Sequence, residues 1–378
     1  MGPLAGFKVV EFAGVGPGPM AAMLIADLGA TVLRIDRAKP VELGRPRPLK
    51  YNLPLRNRHS IALDLKNPDA VRFALSLVAK ADALIEGFRP GAMERLGLGP
   101  DECLKMNPRL IYGRMTGWGQ DGPLAKTAGH DINYIALAGA LNAIGRRDQP
   151  PSIPLNFVGD FGGGALYLAF GIMAAVYEAQ RSGKGQVVDA AIVDGVASMM
   201  VNYCGLTAAG LTSPRGTGPT DSGSHFYDSY QCADGKWVSV GAIEKRFYKQ
   251  LLSILGLDPV TLPDQWDREG WPTMKQRLAE IFSTKTQAEW CALLEGTDAC
   301  FAPVLEVGDL MQHPHLKARK TYIKVDDVVQ PAPAPRFSRS RPEQPRPPQP
   351  AGAVPCEVAL EGWLDSAAIN VAKDAKLI

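Results

Sequence analysis

With 378 residues the chain is long enough for about two domains and a sizeable core, and its composition, 46% hydrophobic and 21% charged, is that of an ordinary soluble globular protein. Lys plus Arg (41) exceeds Asp plus Glu (39) by only two, which excludes a general basic field for nucleic acid and leaves any anionic ligand to local arginines. Six scattered cysteines with no C-x-x-C spacing indicate neither a disulfide framework nor a zinc site, and fit reduced thiols in a cytoplasmic protein.

The N-terminus, MGPLAGFKVVEF, has no basic-then-apolar signal pattern, in keeping with a cytoplasmic location. From residue 7 to about 115, short β-branched runs (FKVVEF, TVLRI, SIALDL, DALIEG, LIYGRM) alternate with amphipathic stretches. In one of these, PDAVRFALSLVAKA, Val71, Ala74, Leu75, Leu77 and Val78 share a face. The alternation predicts an α/β fold with a doubly wound parallel sheet, whose ligands bind beyond the carboxyl ends of the strands. Those ends carry glycine-rich or charged segments that include Arg37, Lys66 and Arg89.

After the first strand, Gly16, Gly18 and Ala21 satisfy the dinucleotide spacing G-x-G-x-x-A, and Asp36 follows 20 residues after Gly16. The chemistry does not match the spacing. A pyrophosphate cradle needs backbone N–H donors, and Pro17 and Pro19 have none. Gly-Pro-Gly-Pro therefore reads as a rigid turn that another group passes closely, not as an NAD site.

Next, AGHDINYIALAGALNAIG (128–145) and the stretch 155–195 predict a loop, a long helix and a strand, completing a large domain over 1–195. The apolar run ALYLAFGIMAAVY (165–177) reads as a buried helix, too short to span a bilayer. A Gly/Ser/Thr/Pro-rich linker covers 196–224, and a smaller α+β domain covers 225–316, opening with a hairpin around Ala-Asp-Gly in YDSYQCADGKWVSVGAI. Residues 317–378 read as a return segment to the large domain; eight prolines in 331–350 predict an extended path. His313 and His315 form an H-P-H pair with no acidic neighbour in sequence to complete a metal site, and read as a solvated loop.

Three segments stand out chemically. AGHDINY places His130 beside Asp131, NFVGDFGGG puts Asp160 ahead of three glycines at the start of a long apolar helix, and VGAIEKRF puts Glu244 between a strand and a helix. Each has an ordinary structural use, since an Asp before a helix caps it and a Glu in a first turn complements the helix dipole. Gly162, Gly163 and Gly164 weaken a helix by up to about 1 kcal/mol each relative to Ala. That cost predicts close approach of a ligand to the helix N-terminus, where free N–H groups favour an oxyanion. A carboxylate beside such a hole can exchange protons with a carbon acid.

Taken in order, VVEFAGVGPGP, LGATVLRIDR, LIEGFRPGAMERLGLG, GRMTGWGQDGP, AGHDINY, NFVGDFGGG, GKGQVVDAAIVDG and APRFSR resemble the family III CoA-transferase superfamily, most closely its α-methylacyl-CoA racemase branch, from about residue 3 to 340. The resemblance implies an interlocked homodimer, each subunit with a large Rossmann-like CoA-binding domain and a smaller one. Its active site lies where the large domain of one subunit meets the small domain of the other. The implied reaction is racemisation at C2 of a 2-methylacyl-CoA thioester through an enolate. His130 and Asp160 serve as the two acid/bases, Glu244 supports His130, and Asp131 orients the imidazole. N–H donors at the Asp160 helix hold the enolate oxygen. Coenzyme A enters as part of the acyl-CoA substrate, with no metal or other cofactor required, and neither nucleic acid nor a membrane span is implied. By the same resemblance the Gly14–Pro19 loop lies beside pantetheine and Arg37, Arg89 and Arg95 hold the adenosine phosphates. Leu63, Asp64, Lys66 and Gly87 border adenine and ribose, and Gly129 and Tyr134 complete the binding set. The rival reading is a CoA-transferase with Asp160 as acyl nucleophile, from which His130 and Glu244 discriminate.

Overall fold

A computed structural model describes residues 1–39 and 46–378. It divides into two units, one of Met1–Ala138, Leu155–Met200 and Ala318–Ile378, the other of Gly139–Pro154 and Val201–Lys317. Residues 139–154 thus leave the stretch that the sequence reads as one domain and group with the second unit.

The first unit is built on a six-stranded parallel sheet, β1 (Lys8–Phe12), β2 (Thr31–Arg37), β3 (Arg58–Leu63), β4 (Ala83–Glu86), β5 (Ile111–Thr116) and β6 (Gln186–Ala191), in the order β3-β2-β1-β4-β5-β6. Register is set by pairs such as Val10↔Leu33 and Leu84↔Tyr112. This is the Rossmann strand order, with the direction of winding reversing between β1 and β4. The inner strands read as continuous apolar runs because helices cover both faces. These helices are α1 (Pro17–Asp27), α2 (Pro68–Val78), α3 (Ala92–Arg95) and α4 (Pro100–Met106), followed by α5 (Asp131–Leu137); α6 (Ala140–Ala143) lies in the second unit. Proline opens α1 at its first position, where its missing N–H costs nothing, and Gly16 just before it stands at φ +69°.

Phe157–Leu166 form a π-helix that runs without a break into α7 (Tyr167–Ser182), and α8 (Ile192–Met199) follows β6. The combined helix of 26 residues is twice the apolar run seen in the sequence, and by length and composition alone it could cross a membrane. Nor is it buried all round. Leu168, Ile172, Ala175 and Ala179 form the inner face, with Leu168 and Ile172 against Gly113 of β5, whereas Leu166, Phe170 and Tyr177 are 54%, 74% and 64% exposed on the other.

The return segment closes the core. After a hairpin of β10 (Tyr322–Val325) and β11 (Val328–Pro331), turning through Asp326 and Asp327 at positive φ, the chain runs irregularly to two short helices, Cys356–Ala359 and Ser366–Asp374. Leu360, Trp363, Ile369 and Ala372 join Phe12, Leu33, Leu77 and Tyr112 in one apolar cluster. Buried Arg56 ties the segment to α1, donating to Asp27 at 2.5 Å and to Gln330 and the Pro331 carbonyl, both at 2.8 Å. Removing one member of such a buried pair costs about 3–5 kcal/mol.

In the second unit β7 (Tyr227–Gln231) and β8 (Trp237–Gly241) form the expected hairpin, and β9 (Phe301–Val304) pairs antiparallel with β8. The stretch read as a linker, 196–224, begins helical instead, with the end of α8 and α9 (Val201–Ala208), which has no buried residue; α10 (Lys245–Ile254), α11 (Trp271–Phe282) and α12 (Gln287–Leu294) follow it. The break between α11 and α12 is a capping box, in which Thr286 and Glu289 satisfy each other's backbone N–H.

Candidate active site

Beyond the ends of β1 to β4, a cavity of about 750 Å³ is lined by Val15, Arg37, Lys39, Leu63, Asp64, Lys66, Gly87, Phe88, Arg89 and Arg95, among others. Seven residues assigned to coenzyme A from sequence therefore meet around one space. Its walls combine apolar side chains with a cationic mouth, and the guanidinium of Arg37 stands 5.9 Å over the Phe88 ring. Asp64 shapes the loop by accepting from the Lys66 amide at 3.1 Å. Asp36, which the dinucleotide reading would place on a ribose, is instead spent on Arg34 at 2.9 Å and on the Ser60 hydroxyl.

Under the 87–89 loop lies a residue without a sequence signal of function. Buried Glu86 accepts from the Phe88 amide at 2.7 Å and pairs with Arg114 at 3.2 Å; burial raises its carboxyl to about 7. It fixes the loop from which Arg89 projects.

A second cluster assembles around α5 and the π-helix. His130 is the exposed N-cap of α5, its backbone N–H donating to the Asn133 side chain at 3.0 Å. Asp160 stands inside the first turn of the π-helix, not before it, because Asn156 takes the cap position. Burial is the main cause that raises the Asp160 carboxyl to about 6. The charge of Asp131 adds to the rise, while the Asn156 side-chain hydrogen bond and His130 oppose it. The coupling puts His130, Asp131 and Asp160 in one site.

Four expectations change on meeting the geometry. Asp131 does not turn to the imidazole: its Oδ2 accepts from the Asp160 amide at 2.7 Å. The same bond removes that amide from the donors available to an enolate oxygen. The glycine triplet is occupied by protein and not by a ligand. A Cβ on Gly163 would lie 2.6 Å from Val196, one on Gly164 3.0 Å from Pro17, and one on Gly162 3.3 Å from Met199. The glycines thus let the π-helix close onto α8 and onto the start of α1. Finally, Tyr134 is buried and its hydroxyl donates to the Gly129 carbonyl, so that hydroxyl is turned inward onto the loop. A side chain on Gly129 would strike Tyr134 at 2.8 Å and Trp118 at 3.0 Å.

The Gly-Pro-Gly-Pro turn finds its partner here. A Cβ built on Gly16 would stand 3.4 Å from Oδ2 of Asp160, so the group that passes this backbone is the candidate base itself. Glu244 belongs to the second unit, exposed at the N-cap of α10 after β8. His313 does have an acidic neighbour, Glu295 at 2.8 Å. Among the described residues, however, no group of three or more His, Cys, Asp or Glu side chains could hold a metal ion.

A Rossmann-ordered sheet thus carries a cationic cavity at its carboxyl ends, with His130, Asp131 and Asp160 clustered beside it. The chain belongs to CoA-transferase family III, whose model matches residues 4–353. It is 44% identical over 339 residues to the α-methylacyl-CoA racemase of Mus musculus, covering 89% of this chain and 87% of that one. To the Homo sapiens α-methylacyl-CoA racemase it is 43% identical, over 88% of this chain and 86% of the other. Among solved structures, a CaiB/BaiF family protein from Brucella suis superposes with a TM-score of 0.82 at 25% identity, covering 96% of this chain and all of that one.

Proposed function

We propose that this enzyme racemises 2-methylacyl-CoA thioesters at C2 by 1,1-proton transfer. The observation that carries the reading is the cluster of His130 with an Asp160 whose carboxyl is raised to about 6, beside a cationic cavity of coenzyme A size. A base titrating near neutrality can both take and return a proton at working pH. Asp160 removes the C2 proton from one face and the C–H electron pair moves into the thioester carbonyl. His130 then delivers a proton to the opposite face as the enolate collapses. No electron is gained or lost, and the two bases exchange roles in the reverse direction. Glu244 of the partner subunit supports the imidazole in an interlocked homodimer. Two features fit that assembly: the apolar face of Leu166, Phe170 and Tyr177, and an α9 with no buried residue. Coenzyme A lies across the cavity, with Arg37, Lys66, Arg89 and Arg95 toward its phosphates and Phe88 toward adenine.

A CoA-transferase reading draws on the family model itself. In it Asp160 would attack the thioester carbonyl, the C–S bond would break to expel the CoA thiolate, and an acyl-enzyme anhydride would remain. The two separate in one assay, in which (2R)-2-methylacyl-CoA is incubated with enzyme and a free carboxylic acid. Racemisation predicts drift to a nearly even S/R ratio with all CoA on the original acyl group. Transfer predicts a new acyl-CoA made from the added acid, with the original acyl group released as the free (2R)-2-methyl acid, its configuration kept, and that result would replace the proposal.

A further inference from the structure

His130 and Asp131 are adjacent at the start of α5, yet their side chains serve different ends of the site. Asp131 is 8% exposed, and its Oδ2 receives the Asp160 amide at 2.7 Å. A Cβ on Gly159 would lie 2.3 Å from that oxygen, so the carboxylate sits on a stretch of π-helix backbone that only glycine leaves open. A negative charge over the free N–H groups of a helix start is favourable in itself. Here it also lies beside a second carboxyl, and two carboxylates sharing a buried site favour protonation of one of them.

We propose that Asp131 is the positioning residue for Asp160: through the Asp160 amide it fixes where that carboxyl stands, and through its own charge it favours the proton-loaded form. One dipeptide then supplies the base for one face of the substrate and sets the base for the other. The inference rests on Asp160 being an acid/base, as proposed above. The other groups facing Asp160 are few. His130 and Tyr134 come from α5 and Asn156 from the start of the π-helix, while Arg89 acts on Tyr134. The packed Gly14–Pro19 loop carries no titratable side chain, and Asp194, the charged residue of α8, faces Asp189.

The test uses Asp131→Asn, which keeps an acceptor oxygen for the Asp160 amide and removes the charge, and Asp131→Ala, which removes both. In ¹³C-carboxyl NMR of the substrate-free protein, with the Asp160 signal assigned through Asp160→Asn, the Asn variant should titrate roughly one pH unit lower than wild type, a tenfold loss of proton affinity. The acid limb of α-deuterium exchange should move down with it while KM stays, and Asp131→Ala should lose roughly 10²-fold in kcat through misplacement of the base. An unchanged Asp160 titration in Asp131→Asn overturns the inference, as does a wild-type pH profile in Asp131→Ala. If wild type exchanges no deuterium, the functional reading fails, and the NMR titration still decides the pairing. If the Ala variant does not fold, the Asn variant carries the decision.

Discussion

Asp160 is defined by what surrounds it more than by its type. Half-buried beside another carboxylate, it should pick up its proton near pH 6, against an unfolded value near 3.8. Between those values the folded state holds more protons than the unfolded, so stability falls as pH rises through the window. Asp160→Asn should therefore melt higher than wild type at pH 7.5, with the gap closing toward pH 4; an equal or lower Tm at pH 7.5 would show the carboxyl is not strained by burial. His225 works in the opposite direction. It is 1% exposed, bonded to the Tyr248 hydroxyl at 2.7 Å, and desolvation lowers it to about 4. Stability should fall as pH drops from 6.5 toward 4, by up to about 1.4 kcal/mol per pH unit, and His225→Gln should flatten that slope in urea titrations at several pH values. At this scale the sequence was partly legible. His130 and Asp160 stood out by rarity and by the glycines beside them. The aim of Asp131 and the burial of Tyr134 did not, because neighbours in sequence say nothing of where side chains point.

The π-helix is the element on which the site depends. Its extra residue per turn widens the helix, and the glycines let it close onto α8 and onto the Gly16–Pro17 turn. Gly163→Ala would drive a Cβ to 2.6 Å from Val196, so we expect a loss of about 1–3 kcal/mol and a displaced Asp160. Chemical denaturation together with kcat checks this, and wild-type values in both would remove the packing account. The glycine triplet was visible in sequence as a cost, but its beneficiary was misread: a close approach by protein and by ligand leave the same residue pattern. The first five strands of the parallel sheet were legible to within two residues, since each is a short apolar run between turns, whereas β6 was expected only as a strand somewhere within 155–195. The late β10–β11 hairpin was passed over as return chain.

At the scale of the whole molecule, the return segment is held by Trp363, 2% exposed in the core. Trp363→Ala should cost about 3–5 kcal/mol and lower Tm, unless the segment is dispensable to the sheet, which an unchanged Tm would show. The outer face of Leu166, Phe170 and Tyr177 leads us to expect that Phe170→Asp yields a monomer in light scattering with little activity; an active dimer would place the interface elsewhere. The proposed dimer rests on resemblance, since exposure of half an apolar helix is invisible in sequence until its other half is packed. The central claim is that two bases act on opposite faces of one carbon. We would measure α-deuterium incorporation from D₂O into each enantiomer of a 2-methylacyl-CoA, with wild type, His130→Ala and Asp160→Ala. The account predicts rapid incorporation with wild type from both enantiomers, and a loss of racemisation of roughly 10²- to 10⁴-fold in each variant. Racemisation at the wild-type rate without either base would contradict it.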